Sequence, residues 1–178
     1  MRSTALTILI LIGSTAVCAQ NATTRDGRPS LRETLLWMHT AFPDSQSETA
    51  FHSGQTRELS FVEGKAGANP SCTVTIIDHW RVDGKPVARD TIIDLSLIDP
   101  ESIKWYADDT LEKDMGTLTM VATDDKKIII EKTEDKADDK PHLSERVFIS
   151  FIVPDYAQRF ARAFKNAVTL CGGKHSTF

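Results

Sequence analysis

The chain has 178 residues, a formal net charge of −4 at pH 7 and three cysteines. Its length suits a single domain with one hydrophobic core. Its lysines and arginines are interspersed with acidic residues along the chain. This pattern excludes nucleic acid from the predicted partners, because a phosphate-binding surface needs clustered cations to displace counterions.

The first 19 residues have the pattern of a secretory signal. Arg2 precedes the apolar run 5–12, and Ala19 provides a small residue at the cleavage point. The run is too short to span a bilayer, which takes about 20 apolar residues, and no later run comes closer. We therefore predict a signal peptide over 1–19, a secreted or periplasmic protein, and no transmembrane segment.

The alternative to a secreted or periplasmic protein is a lipoprotein, in which Cys18 becomes an acylated first residue and anchors the protein to a membrane. The usual lipobox has a bulky aliphatic residue three places before the cysteine and a small residue directly before it. Thr15 and Val17 occupy those places. The sequence therefore favours cleavage after Ala19.

Removal of the leader takes Cys18 away and leaves Cys72 and Cys171 as an even pair. Exported proteins reach compartments in which disulfides form and persist. We predict a Cys72–Cys171 disulfide, which would close a loop of about 100 residues. The alternative is two buried free thiols.

The first predicted helix follows a polar stretch. Residues 20–29 have no apolar period and are expected to be a disordered lead-in. Ser30 and Glu33 then have the spacing of a capping box, which satisfies two otherwise unpaired backbone amides. Apolar residues recur three and four positions apart, which places them on one helical face. The pattern predicts a helix over 30–42, with a face formed by Leu31, Leu35, Met38 and Phe42.

Alternating or β-branched runs fill residues 57–153 and predict about seven strands. Asp83-Gly84 suits a hairpin turn because both residues tolerate positive φ, and Lys85-Pro86 is expected to lengthen that turn. The highly charged segments 107–115 and 134–143 are expected at the surface. The predicted runs are 57–63, 71–82, 86–98, 102–106, 116–123, 126–133 and 145–153.

A second helix follows the last strand directly. Pro154 suits a first helical turn, and Asp155 can cap it. Apolar residues then recur three and four positions apart up to Cys171, where a glycine pair ends the pattern. We predict a helix over 155–171, a single globular domain over 30–173 and a tail over 174–178.

The order of seven strands and one C-terminal amphipathic helix resembles the pleckstrin-homology-like superfold. This resemblance implies an α+β fold, a bent antiparallel barrel or sandwich capped by that helix, here with an additional N-terminal helix. The alternative is an open antiparallel sheet packed on two helices. Members that bind lipid headgroups carry basic residues around the first turn, where this chain offers only Lys65. The chain also looks like small exported bacterial proteins of unassigned function.

The best catalytic set in the sequence is His79 with Asp78, Asp90 and Asp94, in which a carboxylate would orient a general base. Consecutive strand residues point to opposite faces, so Asp78 is poorly placed to orient His79. The five histidines lack the spacing of a metal motif. We therefore predict no catalytic residues, no metal and no cofactor.

Four aromatic residues are candidates for a ligand groove: Trp37, Trp80, Trp105 and Tyr106. Trp37 falls off the apolar face of its helix, and Trp105 is next to Tyr106 on a predicted strand. Packing in the core is the alternative role of each tryptophan.

These observations together predict a non-catalytic exported domain with a binding or structural role. Its partner would be a protein, a peptide or a small ligand, held at a free sheet edge or in the groove beside the C-terminal helix. The alternatives are a small hydrolase that uses His79 and a lipocalin-like carrier with an apolar cavity. The sequence does not predict an oligomeric state.

Overall fold

The computed structural model describes residues 27–43, 56–65, 68–108, 115–123, 129–133 and 141–175, which form two helices and two antiparallel sheets. The predicted leader with Cys18, most of the lead-in and the end of the tail lie outside these residues. The helices are α1 (Leu31–Ala41) and α2 (Pro154–Leu170). The strands are β1 (Thr56–Phe61), β2 (Thr73–Val82), β3 (Lys85–Asp94), β4 (Lys104–Asp108), β5 (Met115–Val121), β6 (Ile129–Thr133), β7 (His142–Ser144) and β8 (Arg146–Phe151).

The strands divide into a five-stranded sheet, ordered β1-β2-β3-β6-β7, and a three-stranded sheet, ordered β4-β5-β8. All pairings within each sheet are antiparallel. The predicted α+β class is therefore confirmed. The described strands belong to two separate sheets and do not close into one barrel, so the predicted barrel is not confirmed.

The turn between β2 and β3 contains only Asp83 and Gly84, with φ values of 50° and 79°. Positive φ at both positions matches the right-handed twist of the flanking strands. Lys85 pairs with Val82 and already belongs to β3. The prediction that Lys85-Pro86 lengthens this turn was wrong.

The third predicted strand ends earlier than residue 98. Asp94 accepts a hydrogen bond from the backbone amide of Ser96 at 3.0 Å and caps a short 3₁₀ helix, Leu95–Leu97. An aspartate that bonds to nearby backbone competes with the strand ladder. β7 was not among the predicted strands, because it overlaps the end of the segment 134–143 that was predicted as a surface connection. Its residues His142 and Leu143 are exposed.

The hydrophobic core lies between the helices and the inner faces of both sheets. Phe151 of β8 stacks on Phe160 of α2 with ring centroids 5.0 Å apart, and Phe42 meets both rings edge-on. Gly116 of β5 permits the start of α2 to approach closely, since a Cβ there would lie 2.7 Å from the Cα of Pro154. Fully buried side chains of the core include Leu35, Met38, Leu59, Ile93, Leu118, Met120, Phe151, Phe160 and Phe164.

The predicted disulfide between Cys72 and Cys171 is present, with the two Cα atoms 5.7 Å apart. Cys72 directly precedes β2, and Cys171 directly follows α2. The bridge therefore ties the end of the C-terminal helix to the five-stranded sheet, 99 residues away in sequence.

The predicted capping box of α1 is also present. The hydroxyl of Ser30 accepts from the backbone amide of Glu33 at 3.3 Å, and the Glu33 carboxylate accepts from the backbone amide of Ser30 at 2.7 Å. This backbone hydrogen bond, assisted by one from the Ser30 hydroxyl, holds the pKa of Glu33 below its ordinary value of 4.5.

Replacing Ser30 by alanine is expected to destabilise the protein by about 1 kcal/mol, because one amide of the first helical turn loses its acceptor. The pKa of Glu33 should rise but stay below its ordinary value, since the backbone donor remains. Because the pKa of Glu33 is lowered in the folded state, its ionised carboxylate stabilises the folded protein above pH 4.5. This contribution is lost as the pH falls through the folded-state pKa. Carbon-13 NMR titration of the Glu33 carboxyl in both proteins measures the shift, and identical titration curves would contradict it.

Candidate functional site

A groove of about 570 Å³ runs between α1 and α2. We call it the helix groove and define it by Thr34, Trp37, Ala163 and Asn166. Thr34 and Trp37 lie one helical turn apart on α1, and Ala163 and Asn166 have the same spacing on α2, so each pair faces the groove from one side. The volume falls within the range of about 300 to 1,000 Å³ that is typical of small-molecule sites.

Trp37 forms an apolar wall of the helix groove and is fixed by its neighbours. Its ring packs on Phe160 with centroids 5.0 Å apart. The guanidinium of Arg159 lies over the indole at 5.4 Å from its centroid, a cation–π contact. Trp37 is only partly buried, so it presents an aromatic surface whose orientation is already set.

Hydrogen bonds hold the two helices together at the groove. The Asn166 amide donates to the Thr34 hydroxyl at 2.8 Å and to the backbone carbonyl of Pro29 at 3.2 Å. The Thr34 hydroxyl in turn donates to the carbonyl of Ser30 at 2.9 Å. This chain connects α2, α1 and the residues before α1, so the groove is formed before any ligand arrives.

The other three aromatic candidates lie elsewhere. Trp80 is on β2 with the Arg89 guanidinium over its ring, 5.8 Å from the centroid. Trp105 and Tyr106 are on β4, at the edge of the three-stranded sheet, and are 39% and 46% exposed. The four aromatics therefore do not form one groove, and Trp37 is the member of the set that lines the helix groove.

The residues around the Asp78 carboxylate are not those that a catalytic role requires. It is 2% exposed on the buried face of β2. Its carboxylate accepts from Nε of Arg57 and from an Nη of Arg89, the latter at 3.1 Å. These arginines are its register partners on the two neighbouring strands. Sequence reasoning missed both of them.

His79 points to the opposite face of β2 from Asp78, as strand alternation requires. Asp90 lies diagonally from it on β3, and Asp94 is the 3₁₀ cap. Among the described residues, no hydrogen bond connects His79 with a carboxylate. The candidate set is therefore not assembled into a catalytic arrangement in this part of the chain.

The described histidines also lie apart. Nδ1 of His39 donates to the carbonyl of Leu59 at 2.6 Å, and Nδ1 of His175 lies 3.8 Å from an Asp99 carboxylate oxygen. His52 lies outside the described residues. No group of three or more His, Cys, Asp or Glu within the described ranges is placed to hold a metal ion.

None of the helices that the structure describes is both long enough and apolar enough to cross a membrane. Comparison with protein-family models, curated proteins and solved structures gives no match to this chain.

Proposed function

We propose that the protein is an exported, non-catalytic binding domain that takes a small, partly apolar ligand in the helix groove. The observation that carries this proposal is the fixed indole of Trp37 in a groove of about 570 Å³ between two hydrogen-bonded helices. An oriented aromatic wall beside a few polar groups is the usual composition of a ligand site.

The size of the groove favours a small ligand over a folded protein partner. A stable protein interface covers about 800 Å² on each partner. The helix groove is instead a short concave site between Thr34 and Trp37 on one side and Ala163 and Asn166 on the other. Preformed walls reduce the ordering cost of binding, so a ligand of modest size can gain useful affinity there.

Export is part of the proposal. The disulfide supports it, because such bonds persist in oxidising compartments and are rare in the cytosol. The signal pattern over 1–19 is the second support, and it favours a secreted or periplasmic protein over one anchored through Cys18. The relation to the pleckstrin-homology-like superfold remains a proposal that rests on element order alone.

The two alternative functions receive less support. A lipocalin-like carrier needs an apolar cavity inside the fold, whereas Phe151, Phe160 and Phe164 pack fully buried between α2 and the three-stranded sheet. A hydrolase based on His79 needs an orienting carboxylate, and Asp78 is engaged by two arginines on the other face.

Binding of 8-anilinonaphthalene-1-sulfonate, an amphiphilic dye with an apolar aromatic body and one sulfonate group, tests the helix groove directly. We expect one saturable site in the folded protein. Replacing Ala163 by arginine should weaken it by about tenfold or more, because the long side chain fills the groove. The fluorescence titration is run on protein whose circular dichroism and melting temperature have been checked, since this dye also reports partial unfolding.

Thr169→Arg is the matched control, because Thr169 is an exposed residue of α2 that lies away from the groove. It introduces the same side chain into the same helix and should leave the affinity unchanged. Absence of a saturable site in the native protein, or an equal loss of affinity in both variants, would refute the proposed site.

A further inference from the structure

A second concave site lies where β8 faces the five-stranded sheet. This cleft of about 220 Å³ is lined by Arg57, Asp78, Arg89 and Arg146, and we call it the arginine cleft. Arg57, Asp78 and Arg89 come from adjacent positions on β1, β2 and β3, and Arg146 is the first residue of β8. Its location is separate from the helix groove and does not depend on it.

Asp78 fixes two of the arginines. One carboxylate oxygen accepts from Nε of Arg57, and the other accepts from an Nη of Arg89 at 3.1 Å. Arg57 also donates to the backbone carbonyl of Ser150 on β8 at 3.4 Å. The guanidinium groups therefore hold set positions at the joint between the two sheets.

Two arginines of the cleft, Arg89 and Arg146, retain donor groups for a ligand. Nε of Arg89 is buried and has no acceptor among the described residues. Arg146 makes no ion pair with any residue that the structure describes. A buried donor without a partner in a native fold calls for an explanation, and an acceptor supplied by a ligand is one.

The remaining walls strengthen the attraction for an anion. Ile76, Val147 and Ile149 supply apolar surface, which lowers the local dielectric and increases the energy of a charge–charge contact. Thr91 also lines the cleft and carries a hydroxyl donor. The arginine cleft thus combines fixed cations, a neutral donor and several apolar side chains.

We propose that the arginine cleft binds an oxyanion, the carboxylate or phosphate group of a small molecule. Guanidinium groups match the planar or tetrahedral oxygens of these ions and bond to them in pairs. The cleft has room for a group of that size.

Isothermal titration calorimetry at low ionic strength, with inorganic phosphate in one arm and succinate in the other, tests this site. One-site binding is expected in at least one arm. Phosphate alone would identify a phosphate ligand, and succinate alone a carboxylate ligand. Arg146→Gln should weaken binding by about tenfold, because a charge-assisted hydrogen bond is lost.

Arg81→Gln is the control, since it removes the same charge from an exposed residue of β2 outside the cleft. The affinity of this variant for phosphate or succinate should equal that of the unchanged protein. Thr91→Val is a second variant, which removes a donor and no charge and should also weaken binding. Absence of binding in both arms, or an equal loss in Arg146→Gln and Arg81→Gln, would overturn the proposal.

Discussion

Replacing Cys72 and Cys171 together by serine is expected to lower the melting temperature by about 10 °C under oxidising conditions. The bridge closes a span of 99 residues. A loop of that length restricts the unfolded chain by an amount worth about 4 to 5 kcal/mol. In a domain of this size each kcal/mol corresponds to about 2 to 4 °C. Thermal unfolding followed by circular dichroism measures the difference.

The reducing agent dithiothreitol gives the internal control. It should bring the melting temperature of the unchanged protein down to that of the double variant and leave the variant itself unaffected. Replacing both cysteines avoids a free thiol that could pair between molecules. A melting temperature that responds to neither change would refute the role of the bridge in stability.

Replacing Asp78 by asparagine is the second change with a large expected effect, a loss of about 3 to 5 kcal/mol in the free energy of unfolding. The Asp78 side chain is 3% exposed, and neutralising it removes the ion pair that it forms with the Arg57 guanidinium, whose side chain is 12% exposed. The bond to Arg89 contributes less, because that side chain is 41% exposed and solvent screens the pair. Urea unfolding at equilibrium measures the loss.

Asp90→Asn is the matched control. It removes the same charge from the neighbouring strand, on the opposite face of the sheet, and should change stability by less than about 0.5 kcal/mol. A second check joins Asp78→Leu with Arg57→Met. Replacing both partners by apolar residues should cost less than removing Asp78 alone, since the Arg57 charge is removed together with the Asp78 carboxylate that pairs with it. Equal losses in the Asp78 and Asp90 variants would contradict the account of this cluster.

The helices could be predicted from the sequence because their signals are local, and the disulfide could be predicted because Cys72 and Cys171 are the pair that remains without Cys18. The apolar period of α2 and the glycine pair after Cys171 each occupy a few neighbouring residues. The capping box of α1 depends on residues only three positions apart. Such local patterns indicate a helix independently of how the rest of the chain folds.

The arginine cluster could not be predicted without the register of the sheet. The sequence indicated a turn at Asp83-Gly84, but a longer loop was assumed. The residue pairs between β2 and β3 therefore could not be assigned. With the two-residue turn that the structure contains, Val82 faces Lys85, and Asp78 must then face Arg89. The error in one turn therefore concealed the Asp78–Arg89 ion pair. Arg57 lies on β1, 21 positions before Asp78, and the sequence gives no comparable cue for the register of β1 against β2.

The helix groove was anticipated only in outline. Trp37 was a candidate because it lies off the apolar stripe of α1, but Asn166 and Ala163 were not recognised. Their role depends on which faces of two helices meet, and those helices are separated by most of the chain. The Asn166–Thr34 hydrogen bond, which joins the two helix faces, spans 132 positions of the sequence.

The most direct test of the proposed binding function is an amide chemical-shift map of the nitrogen-15-labelled protein during titration with 8-anilinonaphthalene-1-sulfonate. We expect the shifts to concentrate at Thr34, Trp37, Ala163 and Asn166, with one common dissociation constant, and to require about tenfold more dye or higher in Ala163→Arg. Shifts that concentrate on the sheets, or that persist unchanged in Ala163→Arg, would contradict a ligand site between the two helices.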